Sequence, residues 1–399
     1  MIISTLELRK TIYIYIYKTY MKSSITYLII VLGIIFITNF IHTTIVTASS
    51  SIEKTCNEEE ENNSNNMASA VKTMRAVVAE AGKLITINRP VPIAKQGEVL
   101  VKIHYTAINR ADTLQRAGNY PVPKGETDIL GLEMSGTVVG NGTEKFPTDS
   151  KVMSLLGGGG YAEYVAIDED MLMPIPEGVS LRVAAGIPET WLTAYQLLHF
   201  VNGVQPNDSV VVHAGGSGVG TAATQLATEH GCKVFVTAGT DEKIAKGIEL
   251  GAVGGANYKK TDWDVEILTQ NGNNGVNAIL DCVGGSYWKQ NINALATDGR
   301  WTLYGAMGGA MIDGPFLGLM LRKRLKMEAT TLRSRSLEYK KKLTKEFANH
   351  ALKLFESKHY QVIVDKKSFD LETAQESHEY METNANIGKI LLKVANDAE

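Results

Sequence analysis

Residues Val210–Gly220, with the sequence VVVHAGGSGVG, decide the fold of this chain. The valines predict a buried strand, and the glycine-rich turn after them leads into a helical segment, Gly218–Gly231. Such a turn lets backbone N–H groups approach a pyrophosphate at the positive end of the helix. The spacing is a variant of the usual glycine pattern, with Ser217 at one glycine position. The stretch therefore predicts a dinucleotide-binding loop, although similar turns also serve packing alone.

Strands and helices alternate after this loop, which favours the dinucleotide-binding interpretation. Six segments are apolar enough to be buried strands: Ser209–Ala214, Lys233–Ala238, Gly255–Asn257, Asn277–Cys282, Arg300–Tyr304 and Leu325–Thr330. Helices are predicted between the early strands, at Gly218–Gly231, Thr240–Leu250 and Asp262–Gln270. This alternation predicts a doubly wound parallel sheet that is covered on both faces.

The flanking segments predict a second, β-rich unit. Short strands separated by Gly and Pro run from Met74 to Ile167, while Leu337–Ser357 is a predicted helix and Gly388–Val394 a last strand. We expect the C-terminal tail to return and complete the first unit. The predicted fold class is α/β, with a catalytic domain over residues 74–195 and 336–399 and an inserted Rossmann domain over residues 196–335.

Composition excludes several function classes. The chain has 399 residues and a net charge of -3, from 40 Lys+Arg against 43 Asp+Glu, so no basic excess favours nucleic acid binding. Its cysteines, Cys56, Cys232 and Cys282, form no CxxC pair. A disulfide framework and a cysteine-rich zinc site are therefore not expected.

The end of the strand after the loop indicates the cofactor. NAD enzymes usually carry Asp or Glu there, which accepts hydrogen bonds from the ribose 2′-OH. Here Ala238 is followed by Gly239 and Thr240, and Lys243 lies just beyond. A lysine can pair with a 2′-phosphate, so we predict NADPH. The alternative is that Thr240 only caps a helix and Lys243 is a solvated residue; Asp241 and Glu242 also alter the local charge.

Residues 1–70 differ from the rest of the chain as an N-terminal extension. Residues 27–46 are almost entirely apolar, about long enough for a bilayer at roughly 20 residues, and residues 49–66 form an acidic, Asn-rich linker. Residues 21–48 are thus compatible with a membrane anchor or a signal peptide. Translation from Met67 or Met74 is a third possibility. We favour a cytoplasmic protein, because NADPH is available there, with membrane contact only through residues 27–46.

From Met74 to Asn396 the chain resembles the medium-chain dehydrogenase/reductase superfamily, in particular the zinc-free quinone oxidoreductases of the zeta-crystallin type. The matching segments are Ala107–Asp112, Ile129–Glu133, Met173–Gly178, Ile187–Ala194, Ser217–Thr221, Asn257–Lys260, Leu280–Trp288, Asp298–Gly309 and Asn386–Ile390. The resemblance implies a GroES-like catalytic domain interrupted by a Rossmann domain, a cofactor in the cleft between them, and a homodimer.

The resemblance also implies which residues surround the cofactor. Asn109 would hold the nicotinamide end. The pyrophosphate would contact the loop residues Gly215, Ser217, Gly218 and Val219, although many relatives have glycine in place of Ser217. The adenosine ribose and its phosphate would be surrounded by Gly239, Thr240, Lys243 and Tyr258. The rest of the groove would be lined by Cys282 and by Tyr304 to Met307.

The presence of a catalytic zinc ion distinguishes the alcohol dehydrogenases of this superfamily from its zinc-free branch. Alcohol dehydrogenases use a Cys, a His and usually a GHE segment to hold a catalytic zinc. The comparable segment here is Gly131-Leu132-Glu133, and no cysteine lies between Cys56 and Cys232. We therefore predict a site without metal.

Without zinc, the reaction depends on position and hydrogen bonding. The resemblance implies that hydride moves from NADPH to a small quinone or conjugated carbonyl, with Tyr120 orienting or protonating the substrate oxygen. The structural alternative is that Tyr120 only packs in a turn before Pro121, and that Asn109 caps the following helix. Reduction of 2-alkenals at the double bond, and a non-catalytic structural or regulatory NADPH-binding protein, remain alternative functions.

Overall fold

The computed structural model describes residues 72–395 and the single residue Leu32. The chain divides into two units between Val71 and Lys72, and the description below concerns the second unit. The predictions for residues 1–70 lie outside the described residues apart from Leu32. Within the part that is described, no helix has the length and apolar character needed to cross a membrane.

Strands dominate the segment before the nucleotide-binding loop. The strands are β1 (Thr73–Glu80), β2 (Lys83–Pro90), β3 (Glu98–Ala107), β4 (Glu133–Gly140), β5 (Lys151–Leu155), β6 (Tyr164–Asp168) and β7 (Leu172–Pro174). The helices are α1 (Arg110–Arg116), α2 (Leu181–Ala184) and α3 (Pro188–Tyr195), and α3 continues into a π-helix, Gln196–Asn202. Pro188 stands at the first position of α3, where its missing N–H costs nothing.

Strands and helices then alternate. The strands are β8 (Ser209–Val212), β9 (Lys233–Ala238), β10 (Gly254–Asn257), β11 (Val276–Asp281), β12 (Leu295–Leu303) and β13 (Lys326–Ala329). The helices are α4 (Gly218–Glu229), α5 (Asp241–Glu249), α6 (Trp263–Gln270), α7 (Trp288–Ala294) and α8 (Phe316–Lys323). The C-terminal segment contains α9 (Leu337–Glu356), β14 (Val364–Asp370), α10 (Ala374–Glu382) and β15 (Lys389–Lys393).

The central sheet has six strands in the order β10-β9-β8-β11-β12-β13. All its pairings are parallel. Numbered by their sequence within this sheet, the strands follow the order 3-2-1-4-5-6 of the doubly wound dinucleotide fold, which confirms the predicted fold class. In this topology ligands bind outside the carboxyl ends of the strands, where the order reverses between β8 and β11.

The second large sheet combines strands from both ends of the described chain. Its order is β14-β15-β3-β4-β5-β7, with β6 also paired to β3. Strand β15 runs antiparallel to β3, so that Leu391 lies opposite Ala107. The tail therefore completes the first unit, as predicted. The exact domain limits at residues 195/196 and 335/336 stay predictions.

Two helices of the central unit have no counterpart among the predicted elements. Helix α7 packs Trp288 and Ile292 into the core, and α8 buries none of its residues. Leu317 and Leu321 on α8 are each 80% exposed. Phe316, Leu319 and Met320 of α8 pack partly buried against the core, whereas Leu317 and Leu321 form an exposed apolar face on the same helix.

Candidate functional site

The nucleotide-binding loop is a tight turn between β8 and α4. Ala214 has a left-handed backbone conformation, with φ of 54°. A Cβ atom at Gly220 would lie 2.3 Å from the carbonyl oxygen of Ala214, and one at Gly215 would lie 2.6 Å from Cβ of Val236. Neither position has room for a side chain. The turn thereby brings the N–H groups of the first turn of α4 to the end of the sheet, an arrangement that suits a phosphate.

Ser217 is the N-cap residue of α4. Its Oγ accepts the N–H of Gly220 at 3.0 Å, and its backbone is extended. The hydroxyl proton is not used in this bond, because a hydroxyl can accept and donate at the same time. Serine here is thus compatible with a capped helix and with a contact to phosphate. The contact of Ser217, Gly218 and Val219 with a pyrophosphate stays a prediction.

The loop packs directly against the catalytic part, which is the described portion of the catalytic domain predicted over residues 74–195 and 336–399. The N–H of Gly388 donates to the carbonyl of Gly216 at 2.8 Å. A Cβ atom at Gly218 would lie 2.7 Å from Cδ of Lys389 and 2.8 Å from Cγ2 of Thr190. The loop and the residues around Lys389 therefore meet at one boundary, where the cofactor cleft was predicted.

The predicted adenosine end surrounds the tip of β9. A Cβ atom at Gly239 would lie 2.7 Å from the hydroxyl oxygen of Tyr258 and 3.2 Å from Cε of Lys259. Thr240 caps α5, since its Oγ1 accepts the N–H of Lys243 at 3.3 Å. Thr240 thus has the capping role considered from the sequence, and the structure groups all four predicted residues here together with Lys259.

Lys243 carries its charge over the nucleotide-binding loop. Its side chain crosses Gly216, where a Cβ atom would lie 2.7 Å from Cγ of Lys243. Its Nζ donates to the carbonyl of Asn384 at 2.7 Å. Burial lowers the pKa of Lys243, and the neighbouring charge of Lys259 lowers it further. Two ammonium groups that repel each other form a suitable site for a phosphate dianion, which would remove the repulsion.

Acidic residues also lie near Lys243. Asp365 and Glu242 raise the pKa of Lys243, each less strongly than Lys259 lowers it, and Arg110 lowers it as well. Asp241, which complicated the sequence argument, forms an ion pair with Lys260 at 2.5 Å. The predicted preference for a 2′-phosphate is therefore compatible with the charges around Lys243.

Asn109 is held by a buried ion pair. The Nζ of Lys389 donates to Oε1 of Glu133 at 2.7 Å, to Oδ1 of Asn109 at 2.7 Å and to the carbonyl of Ile108 at 2.9 Å. Nδ2 of Asn109 donates to Oε1 of Glu133 at 2.8 Å, and Oε2 of Glu133 accepts the N–H of Glu189 at 2.9 Å. All three ammonium protons have acceptors, so this buried pair is fully hydrogen-bonded and fixes the orientation of the amide.

Sequence reasoning found Asn109 but missed Lys389 and treated Glu133 only as part of the zinc argument. The signal was present in the matched segment Asn386–Ile390, but nothing local indicates that its lysine reaches across the sheet to Asn109. The N-cap alternative for Asn109 is also compatible with the structure. Its backbone N–H donates to Oδ2 of Asp112 at 2.8 Å at the start of α1.

Two further acids beside this network have raised pKa values. Asp112 accepts the N–H groups of Asn109 and Gly131, and burial raises its pKa to about 6. Burial raises the pKa of Glu189 to about 8, and the negative charge of Glu133 contributes to the increase. Glu189 is therefore mostly protonated at neutral pH and can act as a hydrogen-bond donor.

Tyr120 is partly buried next to a cation. The Cζ atom of Arg333 lies 5.5 Å from the centroid of the Tyr120 ring. Burial raises the pKa of Tyr120, Glu189 adds to the increase when it is ionised, and Arg333 opposes the increase. The hydroxyl therefore stays protonated at neutral pH and is able to donate. Its role in protonating a substrate stays a prediction.

Cys282 and Tyr304 follow neighbouring strands at the carboxyl edge of the central sheet. The N–H of Met307 donates to the carbonyl of Cys282 at 3.1 Å. Burial raises the pKa of the Cys282 thiol to about 12, so the thiol is neutral. A neutral, buried thiol suits the wall of a groove better than a nucleophile. Met307 is 53% exposed at the same edge.

Two family models match the chain. The alcohol dehydrogenase GroES-like domain matches residues 95–177, and a family described as zinc-binding dehydrogenase matches residues 218–356. Leu132 stands where zinc enzymes have histidine in the GHE segment. Within residues 72–395, no group of three His, Cys, Asp or Glu side chains has an arrangement that could hold a metal ion. A site without metal stays a prediction.

Individual relatives agree with these matches. Quinone oxidoreductase-like protein 2 of Bos taurus is 33% identical over 251 residues, which are 62% of this chain and 72% of that protein. The structure of Escherichia coli quinone oxidoreductase complexed with NADPH has a TM-score of 0.72 and 27% identity, and covers 80% of this chain and 99% of that chain. An NAD-dependent alcohol dehydrogenase has a TM-score of 0.70 and 30% identity, over 81% and 100% of the two chains.

The last two structures are described with different cofactors, so the fold alone does not select NADPH. A preference for NADPH over NADH depends on the residues around Gly239 and Lys243. The family itself is clear from the domain matches and from the relative in Bos taurus. The chain belongs to the quinone oxidoreductase type of the medium-chain dehydrogenase/reductase family, a family of oxidoreductases.

Proposed function

We propose that this chain uses NADPH to reduce a small quinone or a similar conjugated carbonyl, without a metal ion. The observation that carries the proposal is the fixed amide of Asn109, which Lys389 and Glu133 hold where the catalytic part meets the nucleotide-binding loop. A rigid polar group at this boundary suits a nicotinamide ring, which must be held in one orientation for hydride transfer.

The cofactor fits the residues present. The glycines of the loop, Gly215, Gly216, Gly218 and Gly220, have no room for a Cβ atom. Lys243, Lys259 and Tyr258 would hold the ribose 2′-phosphate, and no carboxylate ends β9 to accept the 2′-OH of NADH. A cytoplasmic location, where NADPH is available, is part of this proposal.

When bound, NADPH supplies a hydride from C4 of its nicotinamide. The residues of the chain bind and orient the cofactor and the substrate. Asn109 fixes the nicotinamide ring, and the protonated hydroxyl of Tyr120 donates a hydrogen bond to the substrate oxygen. Reduction of a quinone to a hydroquinone consumes one hydride and one proton. Tyr120 supplies that proton, and solvent restores it.

A substrate series with the full chain tests this function. NADPH oxidation is followed by its absorbance with an ortho-quinone, a para-quinone and a 2-alkenal, with NADH in parallel reactions and with added chelator. We expect NADPH-dependent turnover of quinones that chelator does not change. Turnover of the alkenal alone would replace the proposal by double-bond reduction. Tight NADPH binding without any turnover would favour a structural or regulatory protein.

We also propose a homodimer through the exposed edge of the central sheet. Strand β13 pairs only with β12 among the described strands, and α8 beside it exposes Leu317 and Leu321. An edge strand can pair with the same strand of a second copy about a two-fold axis, and the apolar face of α8 would be covered at the same time. Light scattering after chromatography should give the dimer mass, and Leu317→Glu with Leu321→Glu should shift it to the monomer.

A further inference from the structure

Arg333 is a buried cation with an unused hydrogen-bond donor. It follows β13 at the carboxyl edge of the central sheet and is 5% exposed. Its Nε donates to the carbonyl of Gly157 at 2.9 Å, and its Nη1 donates to Oε1 of Gln115 at 2.8 Å. Its Nη2 is buried and has no hydrogen-bond partner in the described part of the chain. Tyr120 stacks over the same guanidinium, with 5.5 Å from Cζ to the ring centroid.

These partners hold the guanidinium in place without neutralising it. Both acceptors are uncharged, and arginine keeps its proton in proteins. A buried charged group with an unsatisfied donor is costly, because the donor has lost water and gained no partner. In natural structures such a group has a specific explanation, such as stored strain, a catalytic role, or a bound water or ion. The catalytic explanation is favoured for Arg333, because its guanidinium also lies over the Tyr120 ring.

The titratable neighbours of Arg333 do not supply an acceptor for Nη2. Glu189 lies within electrostatic reach of Arg333, but its own pKa of about 8 leaves it mostly neutral at neutral pH. Lys340 is buried nearby and adds a second positive charge, with Glu126 as the acid that acts on it most strongly. Arg333 and Lys340 thus place two positive charges close to each other on this side of the site, an arrangement that favours an anionic oxygen over a neutral one.

We propose that Arg333 binds the substrate oxygen that becomes negatively charged during reduction, and that Tyr120 then protonates this oxygen. The inference rests on the proposed function. As hydride adds to the conjugated system, the π electrons of the carbonyl move onto its oxygen. Nη2 of Arg333 donates to that oxyanion, and the Tyr120 hydroxyl gives it a proton. The substrate thus gains two electrons, one hydrogen from the cofactor and one proton.

A donor aimed at developing charge acts on the transition state more than on the bound substrate. Loss of one such donor typically lowers kcat by about 10²- to 10³-fold. A purely structural role for Arg333, as a clamp between Gln115 and Gly157, would instead lower stability without a selective effect on kcat. The two roles are therefore separable by experiment.

The test uses the full chain with Arg333→Gln, Arg333→Ala and a control, Arg335→Gln. Arg335 lies in the same segment and has its own partner, since its Nη2 donates to Oγ1 of Thr330 at 2.8 Å. We expect Arg333→Gln to lower kcat for quinone by about 10²-fold or more, with NADPH affinity retained. Added guanidinium should restore part of the kcat of Arg333→Ala, and Arg335→Gln should stay close to wild type. Equal effects at the two arginines, or an effect on KM alone, would overturn the proposal.

A second measurement does not depend on turnover. The NADPH complex is titrated with 4-nitrophenol, whose phenolate is a coloured oxyanion. We expect wild type to bind the phenolate form and to lower the apparent pKa of the bound phenol, and Arg333→Gln to lose this shift. If wild type binds phenolate through Arg333 but reduces no quinone, the proposed function fails while the oxyanion site stands. If quinone reduction is normal and Arg333→Gln keeps both properties, the inference fails.

Discussion

Replacement of Lys243 by methionine tests the selection of NADPH. The Nζ of Lys243 has one hydrogen bond in the structure, to the carbonyl of Asn384, and the charge of Lys259 acts on it unfavourably. A bound 2′-phosphate would convert this repulsion into a charge-assisted hydrogen bond. Such a bond contributes about 1.5–3 kcal/mol, which corresponds to a factor of roughly 10 to 150 in affinity.

We therefore expect Lys243→Met to weaken NADPH binding by about 10- to 150-fold and to leave NADH binding unchanged, since NADH lacks the phosphate. Fluorescence titration of both nucleotides measures the two affinities. Lys246→Met is the matched control, because Lys246 lies on the same helix and pairs with Glu249 at 2.5 Å. Equal weakening of both nucleotides, or unchanged NADPH affinity, would refute the assignment of Lys243 to the phosphate.

Four other changes test separate parts of the site. Gly218→Ala should cost about 1–3 kcal/mol in the free energy of unfolding and weaken NADPH binding, because its Cβ would lie 2.7 Å from Cδ of Lys389. The control Gly318→Ala, where a Cβ meets no atom within 4 Å, should be neutral or stabilising in chemical denaturation. Tyr120→Phe should lower kcat by about 10²-fold with little change in the thermal midpoint, and an unchanged kcat would remove Tyr120 as the proton donor. Burial raises the pKa of Glu189 from 4.5 to about 8, so its contribution to stability is full below pH 4.5 and is lost as the pH rises through about 8. Denaturation across this range should show the stability of wild type falling relative to Glu189→Gln, and parallel curves would contradict the shift. Lys389→Met leaves the buried carboxylate of its partner unpaired and should cost about 3–5 kcal/mol, measured by denaturation; a loss below about 1 kcal/mol would show that the pair is not buried as described.

Local sequence was sufficient for the central sheet. The strand at Val210 and the glycine turn after it predicted the loop, and the apolar strands that follow predicted the parallel pairing that the structure shows. Helix α8 was missed because its apolar residues lie on two sides: Phe316, Leu319 and Met320 pack partly buried against the core, whereas Leu317 and Leu321 are exposed. The extent of β12 was also missed, since its first residues include the polar, exposed pair Thr297 and Asp298.

The polar interior of the candidate site could not be predicted in the same way. Lys389 reaches Asn109 across 280 positions of sequence, and Arg333 reaches Gln115 across 218. Neither contact leaves a periodic signal, because it depends on how the tail and the central sheet pack against the first strands. The raised pKa of Glu189 depends on the same packing, which places it beside Glu133. The sequence gives the types of these residues, but it does not give the residues that each of them contacts in the folded chain.

A single-turnover experiment tests the central claim most directly. The complex of the full chain with NADPH is mixed without oxygen with one equivalent of an ortho-quinone, and the absorbance of NADPH is followed with and without chelator. The account predicts that NADPH and quinone disappear together in equal amounts, at a rate that chelator does not change. Persistence of the NADPH absorbance in a complex shown to bind both molecules would contradict it.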